Sequence, residues 1–176
     1  RRLAPLLLAA CAILLTGATL HRNHDYRSRV AIWTQSLQAR PQNPRLHDNL
    51  AGVLFELGKH DEALGLLDEA LRLDPLYDRA YANYGGMLLI RGLHDEAMNY
   101  LRKALDLNPT SGTALTNMGA CLNAMGRSGE ALPLLEQALR QDPDNPDVLN
   151  NYGLALVNLG RREEGMTRIQ EALEIR

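Results

Sequence analysis

Residues 78–111 read DRAYANYGGMLLIRGLHDEAMNYLRKALDLNPTS, and a shift of 34 places lays them on GTALTNMGACLNAMGRSGEALPLLEQALRQDPDN at residues 112–145. Four series of residues keep this step. Asp74-Pro75, Asn108-Pro109 and Asp142-Pro143 form one, and Gly58, Gly92, Gly126 and Gly160 a second. Ala63, Ala97 and Ala131 form a third, and Ala70, Ala104, Ala138 and Ala172 a fourth. A fixed period of this size marks a solenoid, in which no unit can bury its apolar face alone and each stacks on the next. Four copies follow, at 44–77, 78–111, 112–145 and 146–176, the last of them cut short.

Within a copy the apolar spacing is helical. Tyr81, Tyr84 and Leu88, then Ala97, Leu101, Ala104 and Leu105, recur at steps of three and four. Gly92 is placed to stop the first helix, since glycine reaches the left-handed conformation that ends helices. Asp95 and Glu96 then put carboxylates in the first turn of a second helix, where they complement its dipole. Asn108-Pro109 ends that helix, because the residue before a proline avoids the α region. Each copy is therefore expected to be two antiparallel helices of about 14 residues. The small side chains of Gly85, Ala97 and Ala104 let them approach closely.

The pattern Tyr81-x2-Tyr84-Gly85-x2-Leu88…Ala97-x3-Leu101…Pro109 resembles the tetratricopeptide repeat (TPR) signature W-x2-L-G-x2-Y…A-x3-F…P. The first copy departs from it with His47 and Ala51 where the family favours Trp and Gly, and the fourth carries Gly165 in place of alanine. The resemblance implies an all-α, right-handed α-solenoid of four helix pairs with the first helix of each pair lining a concave groove. Upstream, Tyr26 to Pro41 is similar to a lone second helix of the same unit, with Trp33, Leu37 and Pro41 near the apolar and terminating places. Residues 23–43 are thus expected to form a capping helix and linker. At the other end, Leu173 and Ile175 would face water unless something packs on them.

Residues 1–22 have a different character. Leu3 to Leu20 is an uncharged run of 18 residues, LAPLLLAACAILLTGATL, flanked by Arg1-Arg2 and by Arg22, Arg27 and Arg29. As a helix it would measure about 27 Å against roughly 30 Å of bilayer hydrocarbon, and a transmembrane helix is expected. Two alternatives remain at this level: a signal peptide cleaved near Thr16-Gly17-Ala18, and a lipoprotein box at Leu8-Ala9-Ala10-Cys11. Arginines on both sides leave the orientation undecided. The chain opens on Arg1 and not on Met, from which a longer precursor is expected.

Charge and composition exclude several functions. The net charge of −2 hides 6 Arg and one Asp in residues 1–42, against an acidic remainder. An acidic solenoid with one Trp and one Phe is a poor nucleic-acid binder, having neither a basic stripe nor stacking platforms. Cys11 and Cys121 make no disulfide framework, and the five His have no zinc-site spacing, so neither metal nor cofactor is expected. The segment contains no phosphate loop, no G-x-S-x-G and no H-E-x-x-H, so it is not expected to be an enzyme. Asp61-Glu62, Asp95-Glu96 and Glu163-Glu164 recur at helix starts, where the dipole explains them. His60 and His94 occupy equivalent turn positions and read as packing residues, and Cys121 as a small buried hydrophobe.

One polar series remains. Asn49, Asn83, Asn117 and Asn151 fall on the first helix of every copy, 34 apart. An asparagine offers both a donor and an acceptor, so a row of them along a groove can hydrogen-bond successive peptide groups of an extended chain. In TPR arrays such asparagines hold peptide backbones, which supports the same role here; bracing of neighbouring helices is the alternative. Arg45, Arg79, Asp48, Phe55, Ala82, Leu89, Ile90 and Asn158 are expected around them, a mixed wall suited to a protein or peptide partner. The Lys and Arg set with which chaperone-binding TPR domains clamp a terminal carboxylate is not expected, since Asp48, Gly52 and Asn117 stand at most of those places. Finally, Thr19…Arg22-Asn23…Tyr26…Ser28…Trp33 is similar to the junction in transmembrane and TPR-containing protein O-mannosyltransferases. That likeness implies catalytic residues upstream and repeats outside the cytoplasm that hold a protein acceptor.

Overall fold

The computed structural model describes residues 28–175. A first helix, α1, covers residues 28–39. Four hairpins follow: α2 (Pro44–Glu56) with α3 (His60–Leu73), α4 (Asp78–Ile90) with α5 (His94–Leu107), α6 (Gly112–Ala124) with α7 (Ser128–Gln141), and α8 (Pro146–Asn158) with α9 (Arg162–Ile175). Residues 23–27 of the expected capping segment lie outside the described residues.

The repeated residues act as the sequence suggests. Gly58, Gly92, Gly126 and Gly160 all take positive φ, between 74° and 83°. Each lets the residue after it donate its N–H back across the helix end, as Lys59 does to the Leu54 carbonyl at 2.9 Å and Leu93 to Leu88 at 3.0 Å. Asp74, Asn108 and Asp142 are extended at φ near −140°, the conformation the following proline imposes. Asn43 and Asn145 cap α2 and α8 ahead of a proline, their side-chain oxygens accepting the backbone N–H groups of Arg45 and Asp147.

The core runs the length of the stack. Leu67, Leu101 and Leu135, on the second helices of the first three hairpins, are completely buried, as are Ala63, Ala97 and Ala131 one turn before them. Gly85 and Gly119 lie against this row: a Cβ on either would meet Leu101 or Leu135 at 2.6 and 2.5 Å. Cys121 is fully buried with its thiol on the His94 carbonyl, and burial pushes its pKa up. Phe55 packs edge-on against His60, the first residue of α3, at 4.4 Å, so the histidine packs at the inter-helix turn.

The stack curves in a defined sense. The first helices touch in series, α2 with α4, α4 with α6 and α6 with α8, whereas among the described residues no second helix touches the next second helix. The first helices are therefore on the inner, shorter arc, and the groove lies along them. Leu173 and Ile175 are exposed as expected. Among the described residues no helix is long and apolar enough to cross a membrane; the run Leu3 to Leu20 lies outside those residues.

Candidate functional site: the inner groove

All four asparagines of the series are half-buried on the inner arc, and they pair off into two cavities. Asn49 and Asn83 line one of about 290 Å³, together with Trp33, Arg29, Glu56 and Arg79. Asn117 and Asn151 line another of about 460 Å³, with Thr113, Thr116, Asp142 and Asp147. The series thus sits in the expected trough, but its amides are already engaged. Asn83 donates through Nδ2 to Asp48 Oδ1 at 2.6 Å, and Asn117 donates to the Ala82 carbonyl at 3.2 Å. Asn151 donates to the Asp147 carbonyl of its own helix at 2.8 Å, and Asn49 accepts from Arg79 Nη2 at 2.8 Å. The nitrogens of Asn83 and Asn117 brace neighbouring repeats, while the oxygens of Asn83, Asn117 and Asn151 accept nothing from the described residues.

Asp48 lines the amino-terminal cavity but is almost wholly enclosed: only 2% of it is exposed, at the seam between α2 and α4. Its carboxylate accepts from the Tyr77 hydroxyl at 2.9 Å, from Arg79 Nε at 2.7 Å and from Asn83. A buried carboxylate needs such partners, because desolvation without them costs several kcal/mol. Burial, together with the charge and hydrogen bond of Asp48, pushes the Tyr77 hydroxyl up to about 12. The Arg79 guanidinium also lies 5.6 Å from the centre of the Tyr77 ring.

The apolar part of the expected wall is corrected. Phe55 and Leu89 occupy equivalent places near the ends of α2 and α4, where they turn onto the core, and Ala82 is fully buried. Ile90 is 71% exposed but lines neither groove cavity. Asn158 is tied to Ser128 Oγ at 3.0 Å. Arg45 sits in a depression along the loop edge of the groove, shared with Tyr77, Arg79 and Asn108.

Two contributors were not expected. Trp33, read as part of a capping helix, lines the amino-terminal cavity beside an Arg29–Glu56 ion pair of 2.8 Å. Asn123 replaces the apolar residue found at 55 and 89, and it donates to the Asn151 carbonyl at 2.9 Å, tying α6 to α8. The signal for Asn123 was its polarity at a place the other copies keep apolar. Among the described residues no group of three or more His, Cys, Asp or Glu could hold a metal ion.

Comparison with known proteins agrees with the fold. Tetratricopeptide-repeat family models match residues 22–77, 49–112, 100–132 and 122–176. No curated protein matches the chain. Among solved structures, TTC0263, a thermophilic TPR protein of Thermus thermophilus, is 23% identical over 92% of this chain and 88% of its own, with a TM-score of 0.75. PilW, a type IV pilus biogenesis factor, is 26% identical over 91% of this chain and 76% of its own, also at 0.75. YrrB, described as a TPR protein with an unusual peptide-binding site, is 22% identical over 91% of this chain and 82% of its own, at 0.60. Of the residues likened to O-mannosyltransferases, Thr19, Arg22, Asn23 and Tyr26 lie outside the described residues, and these matches give that likeness no support. With repeat models spanning everything from residue 22 onward and a stack of helix hairpins beneath them, the chain belongs to the tetratricopeptide repeat family.

Proposed function

We propose that the chain is a scaffold that holds an extended peptide, or an extended segment of a partner protein, along its inner groove. The observation that carries this reading is the set of four asparagines lining two cavities on one arc, three of them with an uncommitted side-chain oxygen. Such oxygens accept peptide N–H groups whatever the side chains, the recognition mode suited to an extended ligand. YrrB, whose description includes a peptide-binding site, supports the choice of ligand class. The uncharged run Leu3 to Leu20 supports a further element, anchoring of the scaffold to a membrane.

An acetylated, amidated octapeptide library screened by fluorescence polarisation tests the groove. Binders should move the side-chain amide resonances of Asn117 and Asn151. Asn117→Ala and Asn151→Ala should each weaken them by about 1 kcal/mol, the usual net worth of a hydrogen bond. Binding unchanged in both variants would remove the asparagines from the account. Alkaline carbonate extraction of cell membranes tests the anchor, which predicts retention of the full chain in the pellet.

A further inference from the structure

Open space lies over Gly52 on the inner arc. A Cβ there would meet nothing within 4 Å, whereas one on Gly86, the equivalent place on α4, would meet Asn117 Nδ2 at 2.6 Å. The difference comes from Asn83, which reaches Asp48 and so does not lie over α2 as Asn117 lies over α4. Trp33 from α1 and Val53 from α2 wall this space within the amino-terminal cavity of about 290 Å³. Trp33 packs on the core with part of its surface and lines the cavity with the rest; the carboxyl-terminal cavity has no aromatic lining residue. The charges here are matched, two of each sign, with Arg29 on Glu56 at 2.8 Å and Arg79 on Asp48 at 2.7 Å. Charged partners also fix the orientation of both asparagine amides. Arg79 Nη2 donates to Asn49, so Asn49 meets it with Oδ1 and its Nδ2 donates to none of the described residues. Asn83 donates to the Asp48 carboxylate, so Oδ1 is the atom it keeps. One donor and one acceptor complement the C=O and N–H of a passing main chain.

We infer that the amino-terminal cavity receives an apolar side chain of the bound peptide, over Gly52 and against the Trp33 ring, while Asn49 and Asn83 hold the main chain beside it. This site rests on the groove reading above and adds to it a residue preference and a register. A charged side chain entering here would give up hydration and find the four ionic groups already paired. An apolar one covers the indole, Val53 and the bare backbone of Gly52, and the water it displaces supplies the driving force.

The test uses the full 176-residue chain and four probes, acetyl-Ala-Ala-Ser-X-Ser-Ala-Ala-amide with X as Leu, Ala, Lys or Glu. Trp33 is the chain's single tryptophan, so its emission reports on this cavity. The Leu probe should bind about tenfold tighter than the Ala probe, since an open cavity buries only part of the added apolar surface. It should also shift the Trp33 emission to the blue, and the Lys and Glu probes should bind no tighter than the Ala probe. Gly52→Leu fills the space with the side chain that α8 carries at the equivalent place, Leu154, and should bring the Leu probe down to the affinity of the Ala probe. If that variant fails to fold, Gly52→Ala, whose Cβ meets nothing, should cut the preference to about threefold. Equal affinity for the Leu and Ala probes, a preference that survives Gly52→Leu, tighter binding of the Lys or Glu probe, or Leu binding without a change in Trp33 emission would each overturn the apolar site. The groove stands in those cases if the Asn117 and Asn151 amide signals still move. No movement of those signals with any probe would overturn both.

Discussion

Asn83 and Asn117 hold the same place in successive repeats, yet they brace the stack differently. Asn83 reaches the side chain of Asp48, whereas Asn117 reaches the main-chain carbonyl of Ala82, the residue equivalent to Asp48 one repeat later. The first seam is thus closed by a buried carboxylate with three donors, and the later seams by amide-to-carbonyl bonds such as Asn123 to Asn151. One identical side chain takes its role from the neighbour 35 residues back. The amino-terminal seam is charged, specific and exacting; the carboxyl-terminal seams are neutral and tolerant. The hairpins contrast in the opposite sense. Gly85 lies against the Ala97 carbonyl in the second hairpin, while Gly153 faces Gly165 in the last; Ala51 with Ala63 and Gly119 with Ala131 hold the equivalent places in the sequence.

The last hairpin offers the largest expected effect. A Cβ on Gly85 would sit 3.1 Å from the Ala97 carbonyl oxygen, but one on Gly153 would sit 2.6 Å from that of Gly165. The helices of the fourth pair are therefore the closer, and Gly165 is what allows it. Restoring the alanine usual in the family should destabilise this chain: the new Cβ would meet the Gly153 oxygen at 2.5 Å and Val157 Cγ2 at 2.7 Å. Main chain cannot swing aside as a side chain does, so the cost belongs at the upper end of overpacking, about 3 kcal/mol. Urea unfolding of Gly165→Ala followed by circular dichroism checks it. A neutral result would mean that α8 and α9 separate without penalty and that the two hairpins are equivalent after all.

Arg79→Ala comes next and strikes the charged seam. It leaves the Asp48 carboxylate buried with only Tyr77 and Asn83 to satisfy it. Breaking a buried pair costs about 3–5 kcal/mol in full, but Arg79 is 48% exposed, so about 2 kcal/mol is expected. Thr113 occupies the equivalent place one repeat on, and Thr113→Ala should stay within about 0.5 kcal/mol. Because a solenoid can open seam by seam, hydrogen exchange should show the Arg79→Ala loss concentrated in α2 and α3. Equal losses in the two variants would erase the distinction between seams.

These particulars show which parts of the molecule were legible in advance. The turn glycines, the Asp-Pro and Asn-Pro stops and the small residues between helices each answer a demand that recurs in every unit, so periodicity reveals them. Asp48 occurs once, and its partners Tyr77, Arg79 and Asn83 stand 29, 31 and 35 residues away, so nothing periodic marks it. The placing of Phe55 and Leu89 failed for a related reason. Their apolar character is the same toward groove or core, and only their position over the start of the second helix decides between the two. Gly165 was visible as a departure from the family, but its meaning depends on an interhelical distance that no pattern of letters contains.

The smallest expected effect separates Gly52 from Gly86, equivalent residues on α2 and α4. A Cβ on Gly52 would meet nothing within 4 Å, because Asn83 turns toward Asp48 and leaves the space open. A Cβ on Gly86 would meet Asn117 Nδ2 at 2.6 Å, because Asn117 lies over this turn to reach the Ala82 carbonyl. Mid-helix glycine costs about 0.8–1 kcal/mol relative to alanine. Gly52→Ala should recover most of that, visible as a higher thermal midpoint. Gly86→Ala should recover little or none, since its gain is offset by pushing the Asn117 amide off its acceptor. The side-chain resonances of Asn117 should move in the second variant and not in the first. If both substitutions stabilised the chain equally, Asn117 would not depend on the Ala82 carbonyl, and the seam between the second and third repeats would be held by its other contacts, the Cys121 thiol on the His94 carbonyl, Gln137 on the Pro109 carbonyl and the apolar core.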